Sequence, residues 1–242
     1  YEITIDLKNF NDTLAYLTFY RFDKTLIKDT CRTIKNGRII FNGKTKLPKG
    51  IYSLVSQQKS ILFDFFIDDD TQKLNLKSEY GPNISKDLTA LNSDRENEFF
   101  NYIRFLGDQN KAFMEYKQSH PLATKKDSLD LTDKQNELEQ SIADYENQFI
   151  NRFKGTFIAD VVNLKTEKKL KDIPKKADGT PDYDVSYKYY KDNFWRNVDL
   201  KDEGMVHNPF LFNKLKTYLD NVVVKHPDSV CVEIDRILAK SN

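Results

Sequence analysis

The chain has 242 residues, enough for one large or two small domains with a sizeable core. Its 38 basic and 37 acidic residues nearly cancel, which excludes a global field that would gather nucleic acid or anionic lipid. Aromatic residues are abundant and glycine and methionine scarce, as in an ordered globular protein, and no apolar run reaches the ~20 residues of a membrane span.

Residues 1–80 read as antiparallel β-structure. Ile3, Ile5 and Leu7 alternate, and Leu14, Tyr16, Leu17 and Phe19 make a second strand that ends at a charged turn around Asp23-Lys24. Thr25 to Thr33 is a third strand, and Asn36-Gly37 is the strongest two-residue hairpin signal in the chain. Ile39 and Phe41 alternate into Gly43, then Pro48-Lys49-Gly50 turns into Ile51-Tyr52-Ser53-Leu54-Val55. Ser60 to Ile67 is so apolar that a central position in its sheet is expected, before Asp68-Asp69-Asp70-Thr71 leads into Leu74-Asn75-Leu76. Seven or so short strands with tight turns indicate a β-sandwich.

Residues 81–92 read as a linker, because strand alternation has stopped and helical periodicity has not begun. The remaining 93–242 read as an all-α domain, so the fold class is α+β. Ser93 with Glu96 forms a capping box before a helix striped by Phe99, Ile103, Leu106 and Phe113, which His120-Pro121 ends. A polar loop over 124–130 precedes a second box, Thr132 with Gln135, and Leu138, Ile142, Tyr145, Phe149 and Phe153 form the cleanest amphipathic stripe. Gly155 breaks that helix before a shorter one over Phe157 to Leu164. Lys165 to Asp184 is lysine-rich with two prolines and an Asp-Gly, which predicts a mobile or extended loop. Tyr187, Tyr190 and Phe194 then give one helical face an aromatic surface, with Trp195 at its edge. Asn208-Pro209 starts a helix with buried stripe Leu211, Leu215, Tyr218 and Val222, and His226-Pro227 stops it. The last helix, over 228–240, carries a stripe at Val230, Ile234 and Ile237 or Leu238.

Tyr189-Tyr190-Lys191, Phe194-Trp195, Asn197-Val198-Asp199, Asp202, Pro209, Lys214, Tyr218 and Pro227-Asp228-Ser229 resemble the signature of a helical family of unknown function in exported proteins of Bacteroidota-type bacteria. Asp29-Thr30, Asn36-Gly37, Phe41 with Gly43, Gly50 with Tyr52, and Phe66-Ile67 are similar to a β-domain of unknown function that precedes it. Both lie ahead of the thioredoxin fold in TlpA/ResA-like thiol–disulfide oxidoreductases. The resemblance implies a non-catalytic accessory module, exported to the periplasm or to an outer-membrane-anchored cell envelope, with a lipid anchor upstream. Its implied partners are a downstream thioredoxin-like domain in the same polypeptide or envelope client proteins. It carries no catalytic residue across, since the redox dithiol belongs to the thioredoxin fold. The alternative is a free-standing envelope protein that binds a glycan or a peptide. Tyr1 opens into a strand without an initiator methionine, so the chain reads as trimmed and a missing signal segment does not argue for the cytoplasm.

Individual residues point to little chemistry. Asp68-Asp69-Asp70 lacks the glycine and distal glutamate of a calcium loop and reads as a solvated turn, and His120, His207 and His226 lack zinc spacing. Asp199 and Asp202 are explained by helix capping before any acid/base role, and the lysines of 165–176 by solvation, being interspersed with Glu167, Asp172 and Asp178. Cys31 and Cys231 read as two isolated buried thiols rather than a bridge, and the chain has no C-x-x-C. No catalytic group, metal ligand or cofactor site is therefore assigned. Not every ring of the aromatic stretch can face inward, so Tyr189 and Trp195 are expected as exposed partner contacts. Exported proteins of the group that the chain resembles carry O-glycans at Asp-Ser/Thr before an apolar residue. That implies Ser128, in its predicted loop, and Thr13 as attachment positions; Asp228-Ser229 matches as well, though capping of the last helix explains it.

Overall fold

The alternating residues build the strands expected of them. The computed structural model describes residues 1–121, 124–166, 170, 172–196 and 198–241. Strands β1 (Glu2–Lys8), β4 (Arg38–Asn42), β7 (Lys73–Glu79) and the short β8 (Thr89–Ala90) make one sheet, in the order β4-β1-β7-β8. Strands β2 (Ala15–Arg21), β3 (Lys24–Cys31), β5 (Gly50–Ser56) and β6 (Ile61–Ile67) make the second, in the order β3-β2-β5-β6. Ile3, Ile5 and Leu7 of the first face Leu17, Leu54 and Phe65 of the second in one apolar core. Helices follow, so the fold is α+β, with its helices concentrated in the C-terminal part.

Four features depart from the sequence reading. β1 and β7 pair in parallel, with Ile5 opposite Leu76, so the first sheet is mixed rather than antiparallel. Asn36-Gly37 does form a tight turn, with φ of +53° and +73°, and the Arg38 N–H donates to the Lys35 carbonyl at 3.0 Å. Yet it joins strands of different sheets and so makes a corner between sheets, not a hairpin. A Cβ on Gly37 would lie 2.0 Å from the Leu7 carbonyl oxygen, which is why glycine occupies the corner. The apolar β6 is an edge strand, because its hydrophobicity serves helices that cover the sheet. Finally, 81–92 is structured: it holds a one-turn helix α1 (Ile84–Asp87) and β8, with Leu88 and Ala90 buried.

β5 is buried at every residue, so both faces of its sheet are covered. Tyr52 and Leu54 face the sandwich core, whereas Ile51 and its partner Phe66 face the helices. Phe66 packs edge-on against Phe99 at 4.3 Å and Phe157 at 5.9 Å between ring centroids. Those rings belong to α2 (Asp94–Ser119) and α4 (Phe157–Lys165). Between them, α3 (Lys125–Arg152) runs back along α2. Its cap is Thr124 with Asp127 in a complete capping box, two turns ahead of the expected Thr132. Ser128 therefore lies in the first turn of a helix, not in a loop. Between Leu106 and Tyr145 no described residue is buried, so the distal halves of α2 and α3 project as a helical arm. At its base the Tyr102 hydroxyl donates to Glu146 at 2.6 Å and accepts from Lys165 at 3.1 Å, tying α2, α3 and α4 together.

The first turn of α2 fixes the helices to the sandwich. Ser93 caps it by accepting the Glu96 N–H, but the Glu96 carboxyl does not reach back to complete the box. Instead it accepts the Phe66 N–H from the free edge of β6 at 2.9 Å. The next residue, Asn97, accepts the Ala90 N–H and donates to the Ala90 carbonyl, both at 2.7 Å, and so closes the edge at β8. Arg95 donates to Asp70 at 2.8 Å and lies 3.6 Å from Asp68, so a neighbour offsets part of the acidic turn's charge.

Burial pushes the Glu96 carboxyl up to about 8, against the smaller opposing effects of the Phe66 N–H and Arg95. A carboxyl with a raised native pKa binds its proton more tightly when folded. Its contribution is therefore complete at pH 4 and is lost as pH rises through about 8. Glu96→Gln keeps the acceptor for Phe66 and removes the titration. Denaturant melts from pH 5 to 9 should show wild-type stability falling relative to the variant, by up to about 1 kcal/mol per pH unit below pH 8. Parallel curves would show that Glu96 is not the titrating group.

Candidate functional site

The C-terminal helices build one wall of a large concave surface. α5 (Tyr183–Asn193) leads through a 3-10 turn (Glu203–His207) to α6 (Pro209–Thr217), which unwinds into a π-turn (Tyr218–Val222) before α7 (Pro227–Ser241). Asn208 caps α6 by accepting the Leu211 N–H at 3.0 Å, with Pro209 in the first helical turn, as the sequence predicts. Leu211, Tyr218 and Val222 are buried beneath it.

α7 buries only part of the stripe expected of it: Val230 and Ile237 pack half-buried against the core, while Ile234 and Leu238 stay exposed. The position it buries most deeply is Glu233, whose carboxylate accepts from the Tyr218 hydroxyl at 2.8 Å, Lys191 at 3.0 Å and Arg236 at 2.7 Å. Burial alone would raise this carboxyl, yet Lys191, Tyr218 and Arg236 together hold it below its ordinary value. A polar anchor thus sets the rotation of α7 and leaves Ile234 38% and Leu238 53% exposed.

Opposite those side chains stands the β2–β3 hairpin. Its turn, Arg21-Phe22-Asp23-Lys24, places Phe22 at φ +54°, a region that bulky residues rarely enter. The Phe22 N–H donates to the Val206 carbonyl at 2.9 Å, so the strained turn is held against the 3-10 segment. Between hairpin, α6 and α7 lies a groove of about 1060 Å³, open to solvent on one side. Its walls are mostly apolar: Leu26 from β3, Phe212 and Leu215 from α6, Leu219 from the π-turn, and Ile234, Ile237 and Leu238 from α7. Arg21, Asp23 and Lys24 occupy the hairpin end, and Lys216 pairs with Asp220 on the helical wall. A groove of this size and polarity suits an apolar ligand or one face of a protein segment.

The residues singled out by sequence lie elsewhere. Trp195 is 8% exposed, packed against Phe194 and Tyr218, so the expectation that it is an exposed contact is overturned. Its indole N–H is buried and finds no hydrogen-bond partner among the described residues. Tyr189 is half-buried, and neither residue lines the groove. Thr13 is exposed just before β2, its hydroxyl 3.3 Å from Gln57, and Ser128 is exposed on α3. Cys31 is buried, but Cys231 is exposed on α7, contrary to the expectation of two buried thiols. Asn197 and Glu167 lie outside the described residues. The sequence did not single out the groove, because a stripe of Ile and Leu on a terminal helix reads as core; its one outward sign is an acidic residue, Glu233, beside that stripe.

A second, polar cleft of about 480 Å³ opens where the sandwich meets the 3-10 turn. Lys49 spans it, donating to Asp202 at 2.8 Å, while its carbonyl lies 2.9 Å from His207 Nδ1. Asp202 also accepts the Gly204 N–H and so caps the 3-10 turn as expected, whereas Asp199 accepts the Lys201 N–H in a turn that starts no helix. A Cβ on Gly50 would lie 2.5 Å from the His207 Cβ, so glycine permits this approach. Burial, then Asp202 and Asp199, push the nearby Asp160 carboxyl up to about 6. Among the described residues no group of three or more His, Cys, Asp or Glu is arranged to hold a metal ion.

Residues 1–98 match the model of a domain of unknown function (DUF4369), so the chain is similar to that family over the sandwich and the first turn of α2. No curated protein and no solved structure matches the chain. No helix among the described residues is long and apolar enough to cross a membrane.

The raised Asp160 carboxyl favours the folded state below about pH 4 and loses that contribution as pH rises through about 6. Asp160→Asn is expected to raise stability at pH 8 by about 1 kcal/mol, a figure discounted because the carboxyl is half open to water. The gain should vanish at pH 4; equal gains at both pH values in thermal melts would exclude the electrostatic cause.

Proposed function

We propose that the chain is a non-catalytic docking module of a cell-envelope thiol–disulfide interchange protein, whose groove receives a protein segment. That segment belongs to the thioredoxin-like domain or to one of its clients. The observation that carries the docking role is the open apolar groove between the β2–β3 turn, α6 and α7. Contiguous apolar surface of this kind marks interaction sites. The redox setting, export and a lipid anchor upstream are supported by the resemblance of the Tyr189–Ser229 motifs and of the preceding β-domain to proteins with that arrangement. The separation of the two thiols, one in the sandwich and one on α7, is consistent with a dithiol supplied by another domain.

Site-specific photocrosslinking in the native cell tests this. A photoreactive residue at Leu238, in the groove, should yield adducts with a thioredoxin-fold polypeptide or its client. The same residue at Val232, exposed on α7 but outside the groove, should not. Leu238→Asp, at an exposed position that costs little stability (about 0.5 kcal/mol or less), should weaken that association at least fivefold. Equal adducts from both positions, or an association indifferent to Leu238→Asp, would remove the groove from the function.

A further inference from the structure

The groove has a shape and a charge pattern that narrow its occupant, given the reading that it is a docking surface. We infer that it takes an amphipathic helix whose apolar face fills the groove and whose end against the β2–β3 turn is acidic. Three observations carry this.

The groove is more open than enclosed, so a small apolar molecule would keep part of its surface in water, whereas binding pockets for such molecules bury most of the ligand. A helix needs only one face covered, and two of the groove's walls are already helices, α6 and α7. The exposed groove residues of α7, Ile234 and Leu238, sit one turn apart and match the ridge spacing of a facing helix.

An extended peptide is disfavoured by the strand it would have to join. β3 is the free edge beside the groove, but its pairing with β2 shifts register between Leu17 and Thr18, and it carries Lys24 and Lys28. A bulge and edge lysines are the devices by which sheets refuse an added strand.

The charges choose the end. Arg21 and Lys24 are exposed at the hairpin, and neither has a carboxylate within ion-pair distance among the described residues. Asp23 lies between them and leaves this end with a net charge of about +1, while Lys216 and Asp220 neutralise each other on the helical wall. Acidic side chains, or the carbonyl end of a helix, complement the two cations.

The test is selection from a displayed library of amphipathic helices, with leucines at i, i+3, i+4 and i+7 and the polar positions of both ends randomised. The bait is the whole chain, and affinities are read from a fluorophore on Cys231, an exposed thiol on α7 one turn before Ile234. The expected result is enrichment of helices with acidic residues at one end, whose binding is lost with Leu238→Asp. The double change Arg21→Glu with Lys24→Glu, both exposed, should weaken those helices roughly tenfold, two rim ion pairs' worth, and select basic ends instead. Helices that bind through the groove without charge preference would overturn this inference while leaving the docking role intact. If no selected helix depends on Leu238, or if sedimentation shows a dimer that Leu238→Asp dissociates, the inference falls and the docking role falls with it.

Discussion

A β-sheet edge is a row of unsatisfied backbone groups, and much of this molecule's organisation follows from how two such edges are closed. Glu96 and Asn97 are consecutive residues in one helical turn, yet they reach the edges of two different sheets, at Phe66 and at Ala90. Two packed sheets lie about 10 Å apart, a gap that adjacent side chains diverging from one helix can bridge. Burying a carboxyl is costly, and the protein relieves part of that cost by retaining the proton: the Phe66 N–H needs only an oxygen, charged or not. Once α2 is seated, Phe99 meets Phe66, and the Tyr102–Glu146–Lys165 chain orders α3 and α4 behind it.

The groove arises at the other end of this arrangement. Helical cover reaches the sandwich through α2 and α4 at β6, and through the 3-10 turn at Lys49, Gly50 and Phe22. It does not reach the hairpin tip beyond Phe22. α7 comes last, and a carboxylate held by two donors from other elements, Tyr218 and Lys191, helps to orient it beside Val230 and Ile237. A buried polar anchor specifies rotation more narrowly than a stripe can, because both of those contacts fail together if the helix turns. The consequence is that side chains suited to a core face the hairpin across open space.

What the sequence disclosed divides along the same line. Period-two and period-3.6 patterns located the strands and helices, and Asn208-Pro209 marked the start of α6, because those signals are local. Partners were not local. Asn36-Gly37 specifies the sign of φ at a turn but not whether the next strand stays in the sheet, so a corner read as a hairpin. Ser60 to Ile67 is apolar because α2 and α4 cover it, which nothing within those residues distinguishes from a central strand. Thr124 with Asp127 and Thr132 with Gln135 both fit the local capping rule, and the helix starts at the first, where the surrounding residues are polar and carry no apolar stripe to announce it. Trp195, buried where exposure is expected, and Ile234 and Leu238, exposed where burial is expected, differ from the pattern for one reason. Pattern reveals that a side chain is apolar, not which neighbour arrives to cover it, and no element covers the Ile234–Leu238 side of α7.

The groove's walls come from both halves of the molecule, and this shapes how an occupant would act. A helix held between the hairpin tip and α6–α7 contacts the sandwich and the helical layer at once, so its binding energy adds to the contacts that join them. By linkage, anything that loosens that joint, including loss of the Lys49–Asp202 pair on the neighbouring face, must weaken an occupant that favours the joined state. The strained φ of Phe22 fits this view: its N–H is tied to Val206, so the turn that supplies Arg21 and Lys24 is positioned by the helical layer rather than by the hairpin alone. The cationic end of the groove is therefore positioned partly by the contact between the two halves, and a helix recognised there would read the assembled molecule.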